Sequence, residues 1–491
     1  MKRILAAVLV FLPLSQAWAD SPRSSVRPEA RPASVRIVGT ASRAIDAATR
    51  LNSDLSIGAV RQAPAAAQPA PAVRRASVTV TRSLRPRLRP GGLITATART
   101  TPGAAPRPAP APVATGGVAD AGFDRWVHDF RGRALTAGID ARTFGQAFRH
   151  AAFLPKVIER DRNQSEFTLS MGKYLGRAAS DSRVTNGRSS ATRHATTLAA
   201  IEKTYGVDRQ VVAAIWGMES NYGTNRGDTH LISALATLAY EGRRGAFFEE
   251  QLIAALKILQ HGDTTEDLML ASWAGAMGHT QFIPTSYQAF AVDFTDDGRR
   301  DIWSEDPTDA LASTAAYLAK NGWIKGMPWG VEVRMPRGFD YRHGLDARMP
   351  SDWARLGVTR ADGGTLRDHG TARLLLPAGA GGPAFLVFKN FDVIKRYNAS
   401  DAYALGVGHL GDRIAGGGAF VAGWPEGERS LRRAEAEELQ HLLTRKGFNT
   451  GGIDGRIGGQ TKAAIRDYQL AEGIAPDGYP SVDLLQRLRR R

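Results

Sequence analysis

The chain reads as mainly α, with a small β-containing insertion and a separate helical unit at its C-terminal end. Three observations carry that reading. Apolar and aromatic residues recur at helical spacing through most of 123–321. Between Trp329 and Phe391 the texture changes to short alternating or β-rich runs, GVEVRM, ARLLLP and AFLVF, parted by Gly-rich turns. After the linker-like GGGAFVAGWPEGE, the stretch 429–491 restarts a helical pattern of its own. The 491 residues suffice for two or three domains with ample core.

Taken in order, the chain starts MKRILAAVLVFLPLSQAWAD, with basic Lys2 and Arg3, an apolar run from Ile4, and Ala17-Trp18-Ala19 as a small-x-small site. The apolar run is too short to span a membrane. Residues 1–19 are therefore expected to be a cleaved export signal. No cysteine occurs anywhere, which leaves no disulfide, no thiol chemistry and no cysteine for lipidation. A soluble protein of the Gram-negative periplasm is the expectation.

The formal charge is +16, and a basic chain invites a nucleic-acid reading. Between Asp20 and Val118, however, 15 Arg and no Lys stand against four acids, a net +11. The excess thus lies in a Pro/Ala/Arg-rich segment, 20–118, which cannot bury enough apolar surface to fold and is expected to be disordered. Charge spread along a tail is not a basic face, and export removes nucleic acid as a partner. Weak attraction to anionic wall polymers is the most it supports.

Order is expected from near Gly122. Helices are predicted in FDRWVHDFRGRALTAGI, ARTFGQAFRHAAFL, about 191–205, LISALATLAYEG, AFFEEQLIAALKILQHG, EDLMLASWAGAMG and 309–321. QSEFTLSMGKYLGRAAS reads as partly irregular. GAMGHTQFIPTS, dense in Gly and Thr, reads as a loop, and 392–413 as helix.

One helix stands out. In VDRQVVAAIWGMESNYG, Asp208 is placed to cap and Gly223 to stop, with Val211, Ile215, Met218 and Tyr222 forming a stripe. Glu219 falls on the adjoining row, at the edge of the stripe and in the last turn. There the helix dipole disfavours an anion and partial burial keeps a carboxyl protonated, as a general acid requires. Spacing alone favours the other reading, an edge glutamate with a structural partner, by roughly two to one.

MESNYG, followed by SWAGAMGHTQFIPTSY, resembles the lytic murein transglycosylase B family of soluble periplasmic type, over roughly Phe123 to Phe420. The resemblance implies a lysozyme-like α+β catalytic domain over 119–420, mainly helical, with a small β-containing subdomain and an EF-hand-like loop. It implies cleavage of the MurNAc-GlcNAc β-1,4 bond of peptidoglycan glycan strands without water, leaving 1,6-anhydromuramoyl ends. Glu219 would be the sole acid and base: the nucleophile is the sugar's own C6 hydroxyl, so the second carboxylate of ordinary glycosidases is dispensable. Ser272 and Gln281 match groove positions, as hydrogen-bonding partners of Glu219 or the sugar. Tyr174, Tyr317, Tyr397 and Tyr403 match cleft tyrosines, with Asn398 beside them; a tyrosine can pack its ring on a sugar and hydrogen-bond through its hydroxyl. His279-Thr280 departs from the aromatic and glycine of some relatives, and no role is assigned to His279.

DFTDDGRRDIWSEDP resembles the family's EF-hand-like loop. Asp293, Thr295, Asp297, Arg299 (through its carbonyl) and Asp301 fall at ligand positions for structural Ca2+ within 293–306. Ser304 at the twelfth position cannot chelate, leaving Glu305 or Asp306 to reach in. A turn that binds nothing is the other reading, and no cofactor is expected in the chemistry. The 429–491 unit resembles the three-helix peptidoglycan-binding domain through LQHLLTRKGF and GGIDGRIGGQTKAAIRDYQ. The chain is thus expected to be a monomeric wall enzyme without a membrane span. The rival functions are a water-using muramidase on the same fold and a non-catalytic wall-binding protein.

Overall fold

The structure, a computed structural model, describes residues 116–162 and 169–490. The expected export signal lies outside the described residues, as do nearly all of 20–118 and the start of QSEFTLSMGKY. Order begins a little earlier than Gly122, because the Val118 N–H donates to the Phe153 carbonyl at 3.0 Å.

Helix α1 (Ala121–Thr136) is started by Asp120, whose carboxylate accepts the Phe123 N–H at 2.7 Å. It buries Phe123, Phe130 and Ala134. After α2 (Ala141–Ala147), α3 (Pro155–Arg162) and α4 (Met171–Ala178), the single helix expected over 191–205 is two. These are α5 (Asp181–Arg193) and α6 (Ala195–Tyr205), broken where His194 takes φ −106° and ψ 25°. Helix α7 (Arg209–Ser220) follows and is the axis of the unit, with every residue from Val211 to Ser220 buried. It is packed by α5 and α6, and by two helices from much later in the chain, α11 (Thr308–Lys320) and α14 (Asp401–Ile414).

Helices α8 (Leu231–Glu241) and α9 (Gly245–His261) form an antiparallel pair beside this bundle. The helix expected in EDLMLASWAGAMG does not form. A 3-10 turn at Glu266–Leu268 leads into β2 (Leu270–Ala271), which pairs antiparallel with β1 (Thr229–His230). Gly275 and Gly278 then take left-handed φ of 87° and 68°, which stops a helix. The chain runs through α10 (Pro284–Phe290) into α11.

The insertion is a four-stranded antiparallel sheet, ordered β4-β3-β6-β5, from β3 (Gly330–Arg334), β4 (Thr359–Arg360), β5 (Arg373–Leu375) and β6 (Ala384–Val387). A short helix, α12 (Pro350–Arg355), adds Trp353 to a core with Val333, Val358, Leu386 and Phe388. The helix expected over 392–413 is again two, α13 (Lys389–Tyr397) and α14, interrupted by extended Asn398. Glycines let α14 lie close to its neighbours: a Cβ at Gly406 would stand 3.1 Å from Ala178 and 3.3 Å from Met218.

Helices α15 (Arg433–Arg445), α16 (Gly459–Ala471) and α17 (Val482–Arg490) make the C-terminal unit, with Leu439, Leu443, Ile465, Tyr468 and Leu485 in its own core. It is joined to the rest by more than the linker. Glu428 accepts the Met171 N–H at 3.3 Å and the Tyr479 hydroxyl, and Asp477 accepts the Ala380 N–H at 2.8 Å. No helix among the described residues is long and apolar enough to cross a membrane.

Candidate active site at the end of a buried helix

Glu219 does not ride the edge of an amphipathic helix. The helix is enclosed on every side and Glu219 is 5 % exposed. Asp208 holds the N-cap position but makes no cap hydrogen bond; its carboxylate accepts the Trp323 indole N–H at 2.9 Å instead. Gly223 is not the stop either. The helix ends at Asn221, and Asn221, Tyr222 and Gly223 are successively left-handed, with φ of 50°, 59° and 86°. Tyr222 therefore leaves the predicted stripe: its ring folds back over Gly217, and its hydroxyl donates to the Arg183 carbonyl at 2.9 Å.

Left-handed backbone costs a non-glycine residue about 1 kcal/mol or more and collects at functional sites. Among the described residues four non-glycines adopt it: Asn221, Tyr222, Gln281 and Asp296. The first two directly follow the helix end that bears Glu219, and the third ends the loop that closes on it.

Three groups tie that loop to the helix. The Ser220 hydroxyl donates to the His279 carbonyl at 2.6 Å and accepts the Gly223 N–H at 2.9 Å. The Trp216 indole donates to His279 Nδ1 at 3.1 Å, so the ring's proton is on Nε2, which donates to the Ser304 carbonyl at 2.7 Å. Burial pushes the His279 pKa down, with the nearby Arg226 guanidinium acting the same way, which favours this neutral form. His279, left without a role by its sequence, is thus a clamp between the helix, the loop and the 303–305 segment.

One partner of the Glu219 carboxylate comes from far along the chain. Tyr403, on α14, donates its hydroxyl to Glu219 Oε1 at 2.5 Å. Burial first, then the charge of Glu219, raise the Tyr403 pKa well above the ordinary phenol value, so it remains a donor. The same two causes raise Tyr397 and Tyr174.

The other predicted site residues divide. Tyr174 is half-buried beside Met218 and Gly406, on the same flank as Tyr403. Tyr397 and Tyr317 are buried, and their hydroxyls donate to the carbonyls of Thr280 (2.6 Å) and Arg396. Rings so enclosed shape the wall behind the site rather than present a face to a sugar. Asn398 is buried too, and its carbonyl oxygen accepts the Ser400 N–H at 3.1 Å, which aligns the start of α14. Gln281 donates through Nε2 to the carbonyls of Gly278 (2.9 Å) and Arg226 (3.1 Å). The Ser272 hydroxyl accepts the Ala276 N–H at 3.1 Å. Both fix the loop's shape.

The acidic loop brings together carboxylates from inside and outside its expected span. Carboxylate oxygens of Asp293, Asp297 and Asp309 lie within 4.8 Å of one another. Asp309, outside the expected loop, supplies the third carboxylate that position twelve lacks. It is buried, and accepts N–H groups from Phe294 (2.9 Å), Thr295 (3.1 Å) and Asp301 (3.0 Å). Burial raises its pKa, Asp293 adds to the rise, and the three N–H donors oppose it. Thr295 hydrogen-bonds to Asp293 at 3.3 Å, Arg299 gives its N–H to Asp297 at 2.9 Å, and Asp301 accepts the N–H groups of Trp303 and Ser304. Glu305 is taken by Arg226, and Asp306 accepts from Thr308, so neither reaches in.

This geometry can be set beside known proteins. Membrane-bound lytic murein transglycosylase B of Escherichia coli K12 is 36% identical over 218 residues, 43% of this chain and 58% of that protein. The chain thus matches little more than half the length of this curated relative. SltB3 of Pseudomonas aeruginosa, solved with NAG-NAM-pentapeptide and with NAG-anhNAM-pentapeptide, is 50% identical, with 75% of this chain and all (100%) of that one covered at TM-score 0.73. Escherichia coli SLT35, solved in complex with calcium, is 29% identical, with 62% of this chain and 96% of that one covered at TM-score 0.50. Residues 432–488 match the putative peptidoglycan binding domain. Residues 122–412 match the transglycosylase SLT domain, and the chain belongs to that family.

Proposed function

We propose that this protein is a lytic transglycosylase that cleaves the MurNAc-GlcNAc β-1,4 bond of peptidoglycan and leaves 1,6-anhydromuramoyl ends. The observation that carries this is the buried Glu219 carboxyl on the Tyr403 hydroxyl, at a strained helix end, in a chain of this family. SltB3, solved in complex with NAG-NAM-pentapeptide and with NAG-anhNAM-pentapeptide, supports the reading with ligands of the same chemistry.

Glu219 carries out both proton transfers. In its protonated form it gives its proton to the glycosidic oxygen as the bond to C1 breaks. The resulting carboxylate accepts the proton of the muramoyl C6 hydroxyl as that oxygen bonds to C1. Charge and protons balance with no water consumed. Tyr403 holds Oε1 through both steps and stabilises the anion between them. Gln281 and Ser272 keep the loop next to the carboxyl, and Tyr174 stands where a sugar ring can meet it.

Asp293, Asp297 and Asp309 would hold a divalent cation such as calcium. An all-oxygen, three-carboxylate set suits a hard ion, and SLT35 has been solved with calcium. Its contribution is structural, since the loop leads through Ser304 to His279. We assign 1–19 to an export signal, 20–118 to a disordered tether, 119–420 to catalysis and 429–491 to wall binding. The site of action is the periplasm.

Mass spectrometry of products from purified sacculi tests the reaction. Anhydromuramoyl ends, one water lighter than reducing ends, are expected from the wild type, and a loss of at least about 100-fold in rate from Glu219→Gln. Reducing ends throughout would show a muramidase. Full activity in Glu219→Gln would remove Glu219 from the chemistry.

A further inference from the structure

Building on the reading above, we infer that the C-terminal unit completes the substrate site: Lys462 and Arg466 form a subsite for the carboxylates of the peptide stem, on the strand whose glycan lies at Glu219. An open cavity of about 670 Å³ is lined jointly by the two units. The first unit contributes Tyr174 and Ser400–Ala402, and Ala402 immediately precedes the tyrosine that holds Glu219. The second contributes α16, with Lys462 and Arg466 one helical turn apart.

These two cations differ from the others on the wall. Arg373 pairs with Asp392 at 2.8 Å and Arg433 with Glu437 at 2.9 Å. Among the described residues neither Lys462 nor Arg466 has an ion-pair partner, and like charges at this spacing repel. An anion between them relieves that repulsion and gains charge-assisted hydrogen bonds. The three acids of the same lining are otherwise engaged, Asp401 with Lys395, Glu428 with Met171 and Tyr479, and Asp477 with Ala380 and Gln469. The contacts of Glu428 and Asp477 fix the helix in place rather than leaving it on a tether. The amino sugars flanking the cleaved bond are uncharged once the lactyl group is in amide linkage, so the anion must come from the peptide's own carboxylates.

The test uses the full chain and two substrates: glycan strands bearing peptide stems, and the same strands stripped by an amidase and then capped as the simple amide at the lactyl carboxylate that stripping exposes. The wild type is expected to show a KM about tenfold lower on the peptide-bearing strands, of the order of one charge-assisted contact. Lys462→Gln with Arg466→Gln should abolish that preference, and Lys462→Glu should reverse it, with Tm unaltered in both. A preference that survives both changes, or a wild type with none, would overturn the subsite. Failure of the transglycosylase reading would look different, as reducing ends from both substrates.

Discussion

The corner that holds Glu219 and the loop from Asp293 to Asp309 lie in one unit and are built by opposite means. In the loop, most contacts are local. Asp293 accepts N–H groups from Asp297 and Gly298, Asp297 from Arg299, and Asp301 from Trp303 and Ser304. In the corner, the contacts that matter are distant: Tyr403 reaches Glu219 across 184 residues, and Trp216 reaches His279 across 63. A local turn is written in neighbouring residues and tolerates change. A corner assembled from three separate segments holds a side chain in a position that no short segment could impose.

The largest effect is expected at the distant contact. Tyr403→Phe keeps the ring and removes the hydroxyl, and should lower kcat by roughly tenfold to a hundredfold, the worth of a hydrogen bond to a charged group. It should also alter the limb of the pH–rate profile that reports the Glu219 carboxyl. An unaltered profile with full kcat would make Tyr403 mere packing.

A smaller and contrasting pair probes the loop. Asp309→Asn leaves a buried N–H short of an acceptor and should cost about 1–3 kcal/mol of stability even without cation. Asp297→Asn, exposed at the loop's tip, should cost under about 0.5 kcal/mol and show mainly as a weaker rise of Tm on adding calcium. Equal losses in a chelator would erase the distinction between the buried carboxylate and the local turns.

A separate effect, driven by pH, is spread over buried histidines. Burial, aided by His150 and Arg413 respectively, lowers His230 and His409 to about 4, and His279 is lowered as well. Their folded pKa values lie below the unfolded value of about 6.5, so the unfolded chain takes up protons first as pH falls. Their stability is complete above about 6.5 and drains towards 4, by up to about 1.4 kcal/mol per pH unit for each group. Tm should fall between pH 7 and pH 5, less in His409→Gln. A Tm indifferent to acid in this window would contradict it.

Much of this was legible from residue order. The three layers of organisation were, because helix period, strand alternation and linker composition are local signals. So was the helix that bears Glu219, through its apolar spacing. What the pattern hid follows one rule: it depends on contacts between segments. Full enclosure of α7 was invisible, because an amphipathic stripe does not show what covers the other face. So was Asp309, which lies after the loop in sequence and inside it in space. The supposed helix at 266–278 failed because Gly275 and Gly278 turn left-handed to bring His279 back to Trp216. Tyr317 and Tyr397 matched as groove residues, yet their hydroxyls are committed to backbone carbonyls.

The folded-back Tyr222 has a consequence for how such a chain can diverge. A Cβ at Gly217 would stand 2.5 Å from its ring, and one at Gly187 would stand 2.4 Å from its hydroxyl. Neither glycine can drift while the tyrosine stays, and replacing the tyrosine alone leaves two empty notches. The three positions are therefore epistatic, and substitutions there will be far from additive. A lineage could leave this arrangement only by several changes together, so the corner beside Glu219 is closed to single-step neutral evolution.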